Sequence, residues 1–222
     1  MVELRNHVPL SICVNSVRTC WDSHDKGGCY SEPTDDINEA DKNLLKRVIL
    51  KHKHASTAEH LVYNFKIFDV SRALLQELAR HRMASPSVKS TRYTLKELKN
   101  EEPFTTYTDI NEQEYTKDGR ERAEKYIVMT SDERVNRMSI LALDNLRDLL
   151  KAGICNDIAK YSLPESFKSE ISLTINARSL QNLLTLRTSK AALWEIRNLA
   201  NDMFNVLPDS HKFLFIDSVK KI

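Results

Sequence analysis

The stretch Arg80-His81-Arg82-Met83-Ala84-Ser85-Pro86-Ser87-Val88-Lys89-Ser90-Thr91-Arg92-Tyr93 gathers five cationic or imidazole groups within thirteen residues. At a helix end and the turn after it, such groups can converge on phosphate oxygens through charge-assisted hydrogen bonds, and the guanidinium fork suits a bidentate grip. The plainer alternative is a charged helix end whose arginines cap carbonyls and pair with Glu77 and Glu97. Two more stretches carry polar groups fit for a ligand. His54-Ala55-Ser56-Thr57-Ala58-Glu59-His60 lies upstream, and Asn176-Ala177-Arg178-Ser179-Leu180-Gln181-Asn182 runs on to Arg187 downstream. Asn176 and Arg178 suit equally a strand-end cap and a salt-bridge partner.

Other chemistries fit less well. His52, His54 and His60 lack the His-Glu-x-x-His spacing of a zinc site, and Lys51 and Lys53 would repel a cation, so no metal site is expected. Cys13, Cys20, Cys29 and Cys155 form no Cys-x-x-Cys pair and are expected as thiols, buried or indifferent. No glycine-rich loop offers a Rossmann or P-loop cradle, so phosphate recognition must rest on side chains.

Arg-His-Arg, seven residues, Ser90 and then Arg92-Tyr93 resembles the defining motif of flavin-dependent thymidylate synthases. The His54–His60 stretch resembles that family's histidine, hydroxyl residue and Glu-His pair. The Asn176–Arg187 stretch resembles its Asn-Ala-Arg-Ser segment, which ends in a catalytic arginine. The likeness spans about Leu44 to about Glu195. It implies reductive methylation of dUMP to dTMP, with 5,10-methylenetetrahydrofolate as carbon donor and FAD, re-reduced by NADPH, as hydride source. It also implies that FAD is bound by His54, Ser56, Glu59, Arg80, His81, Arg82, Asn176, Arg178 and Asn182. For dUMP it implies Gln76, Arg80, Ser90, Arg92, Lys160 and Arg187, with Arg187 catalytic, and a homotetramer with shared active sites.

Uracil is a poor nucleophile, and flavin-independent thymidylate synthases activate it by adding a thiolate. None of the four cysteines here has that family's Pro-Cys-His setting. A guanidinium beside the ring, Arg187, would instead stabilise negative charge on it. Three positions depart from the family pattern. Lys160 stands where relatives often carry arginine, Val88 where many carry an acid, and Gln76 is one place further from Arg80 than the relatives' glutamine, with Glu77 in the nearer place. Gln76 is the preferred choice.

These residues need elements to position them. Ala40, Leu44, Leu45, Val48 and Ile49 recur at helical spacing within 36–52, and Leu61, Tyr63, Phe65 and Ile67 alternate as a strand. A helix capped by Ser71 should follow, with Arg72, Gln76 and Arg80 at steps of four on its polar face and Pro86 ending it. Residues 100–118 look like a polar surface excursion. Of two helices after it, the second starts near Ser131, carries Val135, Met138, Ala142, Leu146 and Leu149, and stops at Gly153. Ile171, Leu173 and Ile175 form a second strand, a helix with Leu180, Leu183 and Leu184 runs on from it, and a last helix covers 191–207. Arg178 and Arg187 are nine residues apart, on opposite sides of a helix that turns about 100° per residue. One chain would thus offer them to different ligands, flavin and nucleotide, with the helix where subunits meet.

The expected fold is α+β, an antiparallel sheet flanked by helices, a single compact domain over 1–222 with a helical subregion. Lys plus Arg (33) nearly balance Asp plus Glu (31), which disfavours the alternative of a nucleic-acid-binding protein using Arg80 to Arg92. The amino-terminal Met1-Val-Glu-Leu-Arg has no basic region leading into an apolar stretch, and no apolar run approaches a membrane span, so no membrane partner and a cytoplasmic location are expected.

Overall fold

The computed structural model describes residues 1–28, 30–91, 95–109, 112–115 and 117–220. Alternation fixes the sheet. Leu61, Tyr63, Phe65 and Ile67 are fully buried along and just before strand β2, Val62–Ser71. Strand β1, Val2–His7, pairs antiparallel with it, Val2 opposite Ile67 and His7 opposite Tyr63. Strand β3 is Ala84–Val88, strands β4 and β5 are Thr105–Asp109 and Glu112–Tyr115, and strand β6 is Lys168–Asn176, burying Ile171, Leu173 and Ile175. The main sheet has the order β1-β2-β6-β3, while β4 and β5 form an antiparallel pair. The architecture is α+β, as expected.

The helix after β2 is Arg72–Leu78, and the Leu74 amide donates to the Ser71 hydroxyl at 3.0 Å, the expected cap. It stops well short of Pro86. Residues 84–88 form the edge strand β3 instead, where a missing N–H is tolerated, and Arg80 therefore lies beyond the helix. The expected surface excursion contains β4 and β5.

The chain divides into two compact units, Met1–Ile67 with Glu77–Ser87 and Ser172–Ile222, and Phe68–Gln76 with Val88–Ile171. In the first, helix Leu10–Cys20 packs on helix Glu39–Leu45 (continued by π-helical turns over Lys46–Lys51), and helix Ala177–Arg187 packs on helix Trp194–Asn205, which lies against β1. Leu45, Val48 and Ile49 are buried as expected, but Ala40 is exposed and Asp41 takes the inward place. Asp41 can be buried because Arg18 donates to it at 2.7 Å and the Tyr30 hydroxyl at 2.9 Å.

In the second unit, helix Glu133–Lys151 packs on a core that includes Leu98, Phe104, Ile127 and Phe167. Its stop at Gly153 is as expected. Gly153 has φ +87°, and the Ile154 amide reaches back to the Leu149 carbonyl at 3.0 Å, a Schellman ending. Its buried face is Ile140, Leu143, Leu146 and Leu150, whereas Val135, Met138 and Leu149 are exposed. The expected stripe was rotated by about one residue, because polar Asn136, Asp144 and Arg147 point inward. Asp144 accepts from the Phe104 and Thr105 amides, and Arg147 donates to the Glu101 carbonyl. Among the described residues no helix is long and apolar enough to cross a membrane.

Candidate active site

Strand β6 hands over directly to helix Ala177–Arg187. The Asn176 side chain accepts from the Ser179 amide at 2.9 Å, and the Ala177 amide donates to the Leu61 carbonyl at 2.8 Å, which pins the start of the helix to the residue ahead of β2. Arg178 follows in the first turn and donates to Glu59 at 2.7 Å. Cap and ion pair are thus both present.

Arg187 ends the same helix. Its Nη1 donates to the Glu77 carboxylate at 2.6 Å, Nη2 to the Glu77 carbonyl at 3.1 Å, and Nε to Nε2 of His81 at 3.0 Å. As acceptor at Nε2, the His81 ring carries its proton on Nδ1 and is neutral. Burial and the Arg187 charge hold its pKa below the usual histidine value, against the opposing pull of Glu77.

Two cavities of the first unit share a wall. One, about 620 Å³, is lined by Glu59, Arg80, His81, Arg82, Asn176, Arg178 and Asn182 among others. The other, about 450 Å³, is lined by Glu77, Arg80, His81, Asn182 and Arg187 among others. Arg178 and Arg187 thus line different cavities, as their opposite positions on the helix require, with Asn182 between them contributing to both. Among the described residues Arg80 and Arg82 have no carboxylate partner, which leaves two exposed guanidinium groups available to an anion. His54 and Ser56 do not line either cavity. His54 is in edge contact with Trp21 at 6.3 Å between ring centres, and the turn Ala55–Ala58 packs against helix Ala177–Arg187.

In the second unit Ser90 and Lys160 line a cavity of about 270 Å³ together with Arg72, Lys89, Thr91 and Lys168, and among the described residues no carboxylate lines it. Gln76 donates to Glu165 at 2.9 Å, whereas Glu77 is the residue joined to Arg187. Arg92, Tyr93 and Cys29 lie outside the described residues. The sequence pattern puts Arg72 on the polar face of its helix but outside the nucleotide set, and gives Lys168 no role. Nothing local in the sequence marks Lys168, which reaches this cavity because β6 begins there.

Among the described residues no sulfur is placed for attack on a ligand at Arg187. Cys13 is buried, donates to the Thr57 carbonyl at 3.3 Å, and its pKa is pushed up to about 12 by burial. Cys20 and Cys155 are exposed thiols and do not line the Arg187 cavity. The protein is thus an α+β chain whose cavity walls, lined by guanidinium and ammonium groups, suit anionic ligands.

Comparison with known proteins agrees. Residues 3–211 match the family model described as thymidylate synthase complementing protein. A flavin-dependent thymidylate synthase of Campylobacter jejuni is 55% identical over 214 residues, 96% of this chain and 95% of that relative. One of Wolinella succinogenes is 54% identical over 215 residues, 96% of each chain. The crystal structure of thymidylate synthase X from Helicobacter pylori with FAD and dUMP superposes with a TM-score of 0.87 at 48% identity, covering 100% of both chains. The chain belongs to the flavin-dependent thymidylate synthase family.

Proposed function

We propose that this protein methylates dUMP to dTMP in de novo thymidylate synthesis, taking the one-carbon unit from 5,10-methylenetetrahydrofolate and the hydride from reduced FAD, with NADPH restoring the reduced flavin. The observation that carries this reading is Arg187, a permanent cation clamped between Glu77 and His81 in a cavity next to one walled by further guanidinium groups.

The residues present fit FAD. Arg80 and Arg82, without carboxylate partners among the described residues, suit its diphosphate, and the amides of Asn176 and Asn182 suit neutral polar edges. Glu59, His81 and Arg178 complete that wall, and His54 and Ser56 are assigned to the flavin with them. When bound, the flavin supplies a hydride to the transferred one-carbon unit. The chain's own residues do the rest. Arg187 donates to a uracil carbonyl and stabilises the negative charge that makes the ring carbon nucleophilic. Neutral His81 and anionic Glu77 fix the orientation of the guanidinium, so that no reorganisation is needed as charge develops. Gln76, Arg80, Ser90, Arg92 and Lys160 are assigned to the nucleotide's sugar and phosphate.

The chain is proposed to work as one catalytic domain within a homotetramer with shared active sites, in the cytoplasm. Supporting the assembly are exposed apolar side chains, Val135, Met138 and Leu149 on one helix, Ile158 and Tyr161 beyond it, and Met83 beside the flavin cavity. A monomer by light scattering would overturn the assembly. For the site, FAD added to the full chain should give a bound flavin spectrum that dUMP then perturbs; a chain that retains no flavin and no dUMP would contradict the reading.

A further inference from the structure

Three side chains with metal-binding donors, far apart in sequence, meet within the first unit. His7 ends strand β1, Asp35 precedes helix Glu39–Leu45, and His211 sits in the short helix Asp209–Lys212. None of them lines either active-site cavity, and none is among His52, His54 and His60. Nε2 of His7 lies 2.6 Å from Oδ2 of Asp35, and Nε2 of His211 lies 2.7 Å from Oδ1. One ligand atom from each residue falls within 4.8 Å of the other two. The rings of His7 and His211 meet edge to face, their centres 5.0 Å apart. The His211 side chain is fully buried, whereas those of His7 and Asp35 stay 26% and 28% exposed, so one side of the cluster reaches water.

We propose that His7, Asp35 and His211 bind a zinc ion through the two Nε2 atoms and Oδ2 of Asp35, with a water on the exposed side as fourth ligand. Two imidazoles and one carboxylate are donors that suit zinc, and a tetrahedral ion with three protein ligands keeps one place for water. Bonds of about 2.0–2.1 Å set tetrahedral donors about 3.3 Å apart, so the two contacts on Asp35 open by roughly half an ångström as the ion enters. The surroundings favour this exchange. The Leu10 amide donates to Oδ1 of Asp35 at 2.9 Å, which anchors the carboxylate while Oδ2 changes partner. Coordination through Nε2 requires the proton on Nδ1, and Nδ1 of His211 lies 2.7 Å from the Tyr63 hydroxyl, whose oxygen accepts it. That contact is the outer hydrogen bond by which a ligating histidine is held in tautomer and orientation. The ion would tie β1, the segment ahead of helix Glu39–Leu45 and the helix Asp209–Lys212 to one point.

The test is calorimetric titration of the chelator-treated full chain with zinc, alongside His7→Ala and Asp35→Asn, with urea unfolding of each protein with and without the ion. The unsubstituted chain should take up one zinc ion and its unfolding midpoint should rise, since an ion bound by the folded form alone stabilises it. Each variant should bind about tenfold more weakly or worse, the scale that even an outer partner of a ligand commands, and should gain little in midpoint. No zinc uptake by the folded chain, or uptake undiminished in either variant, would overturn the assignment. Circular dichroism certifies folding, and if Asp35→Asn does not fold, His7→Ala, at a partly exposed position, decides alone. The readout is metal affinity, so its failure leaves the dUMP reading of the Arg187 cavity standing.

Discussion

The Nε–H of Arg187 is directed onto Nε2 of His81 at 3.0 Å, so a permanent cation uses a neutral imidazole as its acceptor. Protonating that ring nitrogen removes the acceptor and sets two cations against each other. The bond is therefore both the clamp that aims Arg187 and a point at which acid can loosen it.

His81 has a folded pKa below the unfolded value of about 6.5, so its contribution is fully present above that value and is lost as pH falls through the folded pKa. Turnover should drop on the acid side of about pH 6.5, and His81→Gln should lose this limb. Rates over the range of pH 5 to 8 for both proteins check it.

Arg187→Ala should lower kcat by about 100- to 1,000-fold, the scale of losing one donor aimed at developing charge. Arg187→Lys should not restore it, since an ammonium has three N–H donors for four acceptors, the Glu77 carboxylate and carbonyl, His81 and a uracil carbonyl. Bound flavin and circular dichroism should be retained in both.

Away from the site, the buried His211 links the Tyr63 hydroxyl at 2.7 Å to Asp35 at 2.7 Å, and Asp35 also meets His7 at 2.6 Å. Burial, together with the His7 charge, holds the His211 pKa low against Asp35; burial pushes Asp35 up, but hydrogen bonds from His211, His7 and the Leu10 amide bring it below the usual carboxylate value. His211→Ala leaves a buried hydroxyl and a carboxylate without this partner and should cost about 2–4 kcal/mol in urea unfolding. Both shifts are depressions, so stability should decline as pH falls, through His211 below about 6.5 and through Asp35 below about 3.9.

Glycine substitutions should separate two effects. At Gly153 an added Cβ meets open space, so Gly153→Ala pays only for φ +87°, about 1 kcal/mol. At Gly119 the Cβ would run into the Phe104 carbonyl oxygen, so Gly119→Ala must displace backbone and should cost about 1–3 kcal/mol or more. Midpoints of urea unfolding compare them directly.

What was legible in the sequence was local. The two alternating runs around Tyr63 and Leu173 became strands because period two is set by the pleat, and the Ser71 and Gly153 helix ends follow from neighbouring residues. The inward face of helix Glu133–Lys151 was not, since Asp144 and Arg147 are buried only by virtue of partners at Glu101, Phe104 and Thr105, some forty residues away in sequence. The same holds for the sites. The Arg80–Arg82 stretch announced itself through charge density, whereas Glu77 over Gln76 beside Arg187, and Arg72 with Lys168 beside Lys160, depend on which side chain the tertiary structure turns inward.

The most direct measurement is anaerobic incubation of the full chain with dUMP, 5,10-methylenetetrahydrofolate, FAD and NADPH, with dTMP quantified and each component omitted in turn. The account predicts dTMP only when the folate is present, and almost none from Arg187→Ala. Product formed without the folate, or full activity in Arg187→Ala, would contradict it.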